Sequence, residues 1–185
     1  MSTVTDLEAL LQLLRKGAGA HDAPHQSGTE AVDLLAHGLQ CAERLRTWHP
    51  DDLELQVAGL IHDIGHQLQP GEDATHGITA AAAVRGILGE RVARLIEHHV
   101  PAKRYLVTTD ANYLSRLSPV SVETLTAQGG LMTDEEVLAC EQLPDWNAGL
   151  ELRRADEAAK SPSRIVPGLD SWVPVIAQVI AAQTT

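Results

Sequence analysis

The stretch "LIHDIGHQLQP", Leu60 to Pro70, decides how this chain is read. The residues entering it, Val57, Ala58, Leu60 and Ile61, recur at the spacing of a helix face that seeks a core. At the end of that face an imidazole and a carboxylate stand side by side, His62 and Asp63, and a second imidazole follows four residues on at His66. Such groups are costly at the buried end of an apolar helix unless others meet them. What else in the chain can reach the same point therefore sets the reading.

Outward from this stretch the pattern stays helical. Asp51 or Asp52 can cap a helix through "LELQVAGLIHDIGH", which Gly65 and then "QPGEDATHG" interrupt. Upstream, Leu7, Leu10, Leu11 and Leu14 mark one helix, and Val32, Leu34, Leu35, Leu39, Ala42 and Leu45 a second that stops near "TWHPDD". Downstream, short helices are predicted from Gly77, from Glu90 and after Pro101. Ser118-Pro119 reads as a helix start and Gly129-Gly130 as a stop. Helices through "TDEEVLACEQL" and "DWNAGLELRRADEAAK" follow, and the tail "DSWVPVIAQVIAAQ" is expected to pack back as a last helix.

No run shows the two-residue alternation of a strand. Hydrophobic residues make up 44% of the 185, yet Phe is absent and aromatics are 3%, so the core must be built from small and aliphatic side chains. The expectation is an all-α chain forming one compact domain over residues 1–185. Lys and Arg number 14 against 25 acids, a net charge of −11, which argues against a nucleic-acid surface. No apolar stretch approaches the ~18 residues of a membrane span, and "MSTVTDLEALLQLLRKG" carries acids where a signal peptide needs bases, so a cytoplasmic protein is expected. Cys41 and Cys140 lack a metal-finger spacing and read as reduced, buried thiols.

Helices can aim side chains from distant positions at one point of a bundle core. The candidates are His37 in "LLAHGLQCA", His62-Asp63, His76 before "GITAAAAV", His98-His99 at the end of an apolar helix, and Asp156 in "LRRADEAAK". Imidazoles with carboxylates suit iron, manganese or zinc, and one carboxylate can bridge two ions, so the inventory matches a dinuclear site. Taken singly, each has a plainer reading. A lone histidine such as His37 is more often a satisfied core residue, and an aspartate in a polar helix usually faces water.

The order H…HD…H…H…D resembles the signature of the HD-domain superfamily of metal-dependent proteins. The stretches "HGLQCA", "LIHDIGH", "HHVPAKRYL", "LSPVSVETLTAQGG" and "LRRADEAAK" resemble, more closely, the small HD-domain mixed-valent di-iron oxygenases that cleave organophosphonates. The likeness spans roughly His25 to Pro162. It implies an HD-domain helical bundle in which His37, His62 and Asp156 hold one iron, His76 and His99 hold the other, and Asp63 bridges them. His99 is preferred to His98 because it stands four residues before Lys103; His98 is expected to be exposed or to support the ligands from behind. The phosphonate grip of that group maps onto His66, Lys103, Ser121, Thr124 and Arg153, with Gln128 as a neighbour.

The same donors make chemical sense, since a phosphonate dianion calls for several charge-assisted donors. Upstream of the first histidine, family members carry a tyrosine that closes on iron and, three residues on, a glutamate that reads the substrate amine. Here Glu30 matches the glutamate while Ser27 stands at the tyrosine position, with His25 as a conceivable substitute.

The resemblance further implies an Fe(II)/Fe(III) pair with O2 as co-substrate, and release of phosphate and a carboxylic acid from a small-molecule organophosphonate. The scarcity of aromatics argues against a trimethylammonium head group, which is usually caged by aromatic rings, and Glu30 favours 2-amino-1-hydroxyethylphosphonate. Two competing readings are an HD phosphohydrolase of a nucleotide or other phosphate ester, and a non-enzymatic sensor module. Six candidate ligands and the "AKRYL" segment disfavour the first, and the complete ligand set disfavours the second.

Overall fold

A computed structural model describes residues 3–21 and 32–183 of the chain. In order, its α-helices are α1 (Leu7–Lys16), α2 (Leu34–Trp48), α3 (Leu53–Ile61), α4 (Ile64–Leu68), α5 (His76–Thr109), α6 (Pro119–Ala127), α7 (Asp134–Glu141), α8 (Trp146–Glu157) and α9 (Val173–Ala182). There is no strand among the described residues, as the all-α expectation required.

Local chemistry starts most of these helices. Asp6, Asp33, Asp52 and Ser118 each accept a first-turn backbone N–H at the heads of α1, α2, α3 and α6, and Pro119 opens α6. Thr133 and Glu136 cap α7 reciprocally. The capping Asp52 also receives two bonds of 2.7 Å from Arg91 of α5, whose guanidinium reaches Glu54 (3.0 Å) and Asp145 (3.2 Å) as well. The heads of α3 and α8 are thereby tied to one point on α5.

The larger apolar cluster joins Leu10 and Leu14 of α1, Leu45 of α2, Ile61 of α3, Leu88 and Leu95 of α5, Leu152 of α8, and Trp172, Ile176 and Val179 from the tail. The tail does pack back. A smaller cluster forms beyond it around Ala102, Leu106, Tyr113, Leu125, Met132 and Trp146. Helices α2 and α3 lie close because Gly38 presents no side chain: a Cβ there would stand 2.3 Å from the Leu60 carbonyl oxygen.

The helices depart from the sequence expectation in two places, and both shape the site. First, α3 ends at Ile61 rather than running to Gly65, and Asp63, at φ −98° and ψ 5°, joins it to α4 without capping either helix. Gly65 lies inside α4, where a Cβ would stand 2.0 Å from the His76 carbonyl oxygen, so it serves close approach rather than a break. Second, the segment predicted from Glu90 runs on through Pro101, which starts no new helix; the break predicted between the Gly77 and Glu90 segments is present, at Gly89 (φ 85°, ψ 174°), where α5 kinks. Burial of Val100, Ala102, Leu106 and Val107 outweighs the one backbone bond that a proline removes.

Candidate metal centre

The break after Ile61 turns His62 and Asp63 into the same space. His62 is fully buried, and His37 from the first turn of α2 meets it with Nε2 atoms 3.3 Å apart. Asp156 from the last turn of α8 brings Oδ1 to 3.2 Å from His37 Nε2 and 3.8 Å from His62 Nε2. Asp63 places Oδ2 in this group, 3.4 Å from His37 and 3.3 Å from His62. Its other oxygen, Oδ1, faces a second pair: His76 Nε2 at 3.5 Å and His99 Nε2 at 3.7 Å, the two imidazole nitrogens being 2.7 Å apart.

These spacings suit an ion. Two donors at ~2.0–2.1 Å from a common centre stand roughly 2.9–3.4 Å apart at octahedral to tetrahedral angles. Two groups, one of His37, His62 and Asp63 and one of Asp63, His76 and His99, bring their ligand atoms together on this scale. Asp63 belongs to both.

The protonation pattern points the same way. Each of the four rings turns Nδ1 to a backbone carbonyl: His37 to Ala159 (3.1 Å), His62 to Gly59 (2.9 Å), His76 to Asp73 (2.6 Å) and His99 to Ile96 (2.6 Å). A carbonyl only accepts, so every Nδ1 carries the proton and every Nε2 of a neutral ring points a lone pair inward. Lone pairs facing each other at 2.7 and 3.3 Å repel unless a cation lies among them. Without a metal, protons answer that demand: burial opposes charge, yet Asp156 and Asp63 pull His37 up to about 9 and His62 up to about 10. Although burial pushes the other way, Arg153 and the histidines hold Asp156 and Asp63 well below the usual carboxylate range. The donor set, the spacings and the fixed tautomers all fit a pair of first-row metal ions.

Beside the donors lies a cavity of about 80 Å³, lined among others by His66, Lys103, Ser121, Thr124, Gln128 and Arg153. At the ~10–15 Å³ that one water needs, this holds roughly six waters, the scale of a small anion. Lys103 Nζ donates to Thr124 Oγ1 (2.7 Å) and to the Ser121 carbonyl (3.3 Å). Burial, reinforced by the Arg153 charge, pushes its ammonium down to about 7. The ring of His66 stacks on His76 at 4.0 Å. Arg153 is engaged by the protein itself: it donates to Asp156, Glu157, Ser121 and the Tyr113 hydroxyl.

A family profile for the HD domain matches residues 32–136, more than half of the chain. Hydroxymethylphosphonate dioxygenase of Gimesia maris is 38% identical over 152 residues, covering 77% of this chain and 75% of that protein. The chain belongs to the HD-domain family. A glycine-betaine-forming [1-hydroxy-2-(trimethylamino)ethyl]phosphonate dioxygenase of Leisingera caerulea is 30% identical over 82% of this chain and 81% of its own. An uncharacterized protein, L432, of Acanthamoeba polyphaga mimivirus is 32% identical over 71% and 64%.

In this HD domain the six candidate ligands named from the sequence, His37, His62, Asp63, His76, His99 and Asp156, stand around one centre, and His66, Lys103, Ser121, Thr124 and Arg153 line the adjoining cavity. His98 turns the other way, bonding the Pro144 carbonyl at 2.9 Å beside Trp146; it is buried, not exposed. His25, Ser27 and Glu30 lie outside the described residues.

Glu157 and Lys160 were missed by the sequence reading. Glu157 accepts from Ser121 Oγ (2.8 Å) and the Ser118 N–H (2.6 Å), and Lys160 lines the cavity. Glu157 had a signal in its spacing, four residues after Arg153 on one side of α8.

Proposed function

We propose that this chain oxidatively cleaves the carbon–phosphorus bond of a small 1-hydroxyphosphonate, using O2 and two irons, and releases phosphate and a carboxylic acid. The observation that carries the reading is Asp63 divided between two histidine groups beside a pocket of cations. In this reading His37, His62 and Asp156 hold one ion, His76 and His99 hold the other, and Asp63 is shared. An Fe(II)/Fe(III) pair, when bound, supplies one-electron redox capacity and O2 activation that side chains lack.

The residues of the chain bind and orient. Lys103, with Thr124 and Ser121 beside it, offers charge and hydrogen bonds to a phosphonate. The backbone carbonyls behind the four histidines hold their rings in one tautomer, so that no ligand must reorient when a metal arrives. Val32, Leu34, Val100 and Val120 give the same cavity its apolar side.

For hydroxymethylphosphonate the balance closes with one O2. Carbon leaves as formate, phosphorus leaves as phosphate, both oxygen atoms enter the products and one proton is released. This substrate stands first because the cavity is small and no Tyr or Trp lines it among the described residues, so a trimethylammonium group would lack the usual cage. 2-Amino-1-hydroxyethylphosphonate, favoured by Glu30 in the sequence, is the second arm of the test.

The experiment loads the protein with iron and measures phosphate release and O2 uptake with both substrates. Equal amounts of phosphate and O2 are expected. Phosphate release from a nucleotide or phosphate ester under anaerobic conditions, with none from either phosphonate in air, would overturn the proposal in favour of a hydrolase.

A further inference from the structure

Three lysine and arginine side chains, Lys103, Arg153 and Lys160, line the cavity, and the last belongs to neither the metal centre nor the Lys103 grip. Lys160 follows the end of α8 and lines the cavity. Its Nζ stands 2.9 Å from Ser121 Oγ, 3.1 Å from Ser118 Oγ and 3.6 Å from Glu157 Oε2, with the side chain 18% exposed.

Arg153 faces the same space, but its guanidinium is committed to Asp156, Glu157, Ser121 and Tyr113. Asp156 in turn gives its other oxygen to the histidines. Glu157 is thus shared between Arg153 and Lys160, while Lys103 donates to a hydroxyl and a carbonyl. Like charges crowded in a partly buried pocket repel until an anion joins them. Burial chiefly depresses the Lys103 ammonium, and the charges of Arg153 and Lys160 add to it against Asp156 and Glu157.

The position of Lys160 is built rather than incidental. One face of α2, at the i, i+3, i+7 positions His37, Gln40 and Arg44, grips the backbone on both sides of it. His37 Nδ1 donates to the Ala159 carbonyl, and Arg44 donates to the Ala158 carbonyl at 3.1 Å. Gln40, buried, both donates to the Ser161 carbonyl (2.9 Å) and accepts from the Ser161 N–H (3.2 Å). The helix that offers the first histidine to the centre thus fixes the lysine as well.

We infer that Lys160 is a phosphonate-binding residue paired with Lys103 across Ser121, and that Arg153 acts as a positioning residue that aims Asp156. This rests on the proposed phosphonate reading and adds a residue to it. An incoming phosphonate would take the hydrogen bonds that Lys160 now spends on the Ser118 and Ser121 hydroxyls.

The test uses full-length, iron-loaded protein, with methylphosphonate, which lacks the reacting hydroxyl, as the binding probe. Lys160→Met, close in length but uncharged, should raise the methylphosphonate Kd and the hydroxymethylphosphonate KM about tenfold or more, with the loss carried in KM rather than kcat and the iron content kept. Lys160→Arg should recover most of the affinity. Gln40→Leu, which keeps the charge and removes the grip on Ser161, should raise KM in the same direction by less. If wild type binds methylphosphonate and Lys160→Met binds it equally well, the inference is overturned and the reading of the site stands. If Lys160→Met loses affinity and Lys160→Arg does not recover it, a structural role replaces the ionic one and the inference is likewise overturned. Wild type that binds no methylphosphonate would remove the phosphonate reading itself, at a step before any variant is compared.

Discussion

Gly65→Ala adds one methyl group, and the structure assigns it a large effect. The new Cβ would lie 2.0 Å from the His76 carbonyl oxygen and 2.6 Å from its carbon, where real Cβ contacts essentially never fall below 3.0 Å. Both partners are backbone, one in α4 and one at the head of α5, so no side-chain rotation relieves the clash; the two segments must part by about 1 Å. Overpacking of this kind costs typically 1–3 kcal/mol and more when backbone must move, so about 3 kcal/mol is expected at the top of that range. The shift also carries His76 away from His99 and from Asp63 Oδ1, now 2.7 and 3.5 Å from its Nε2. Gly86→Ala is the matched control: it sits in the same helix as His76 with nothing within 4 Å of its would-be Cβ, and there alanine should stabilise by about 0.5–1 kcal/mol.

Urea unfolding of the metal-free protein reads the first effect, and iron counted after reconstitution reads the second. Gly65→Ala should lower the midpoint and bring the iron content from two per chain toward one, while Gly86→Ala should raise the midpoint and leave iron at two. A Gly65→Ala protein as stable as wild type and fully loaded would refute the claim that the α4–α5 contact sets the second position.

Asp63→Ala should lose both ions, because each oxygen of that carboxylate faces a different histidine pair, and elemental analysis after dialysis checks it. Arg153→Lys cannot reproduce the fork that meets Asp156 and Glu157, and should weaken iron retention against a chelator about 10–100-fold, the usual cost of losing a ligand's hydrogen-bonded support. Lys103, with its ammonium pushed down to about 7, is charged below that pH and neutral above it, so KM for the phosphonate should rise as pH climbs past 7. Lys103→Arg stays charged and should flatten that rise, the substrate's own ionisation being common to both proteins. Arg91→Ala should cost about 1–3 kcal/mol in urea at pH 7. Burial raises Asp52 but the Arg91 bonds overcome it and hold it below its ordinary value, while Asp145 is held down chiefly by Arg94 with Arg91 adding to it, so the Arg91 contribution is present above the ordinary carboxylate pKa and is lost as pH falls through the depressed ones. The gap between variant and wild type should therefore close in acid.

The legible and the hidden parts of this chain differ by the range of the forces that set them. Two helix starts were readable because a cap is local: Asp52 and Ser118 act on N–H groups of their own first turn, as Asp33 and Thr133, not read as caps from the sequence, also do. The six candidate ligands could be singled out because most are imidazoles and carboxylates at the ends of apolar faces, which demand a partner wherever the chain goes, and the structure brings all six together. The break at Gly89 was readable, but the end of α3 and the passage of α5 through Pro101 were not, since glycine and proline carry opposite meanings in isolation and in contact. Gly65 reads as a breaker until the His76 backbone is laid against it, and Pro101 reads as a stop until four buried neighbours hold the helix through it. Lys160 was hidden for a third reason. Nothing near it in sequence says where the chain goes after Glu157; the answer lies in His37, Gln40 and Arg44, more than a hundred residues earlier, which hold the turn by its backbone. A candidate metal ligand, a buried amide and a guanidinium on one helix face thus hold the Lys160 turn and the first histidine together, so that, on the proposed function, a change in the α2 face should disturb substrate affinity and metal retention in the same protein.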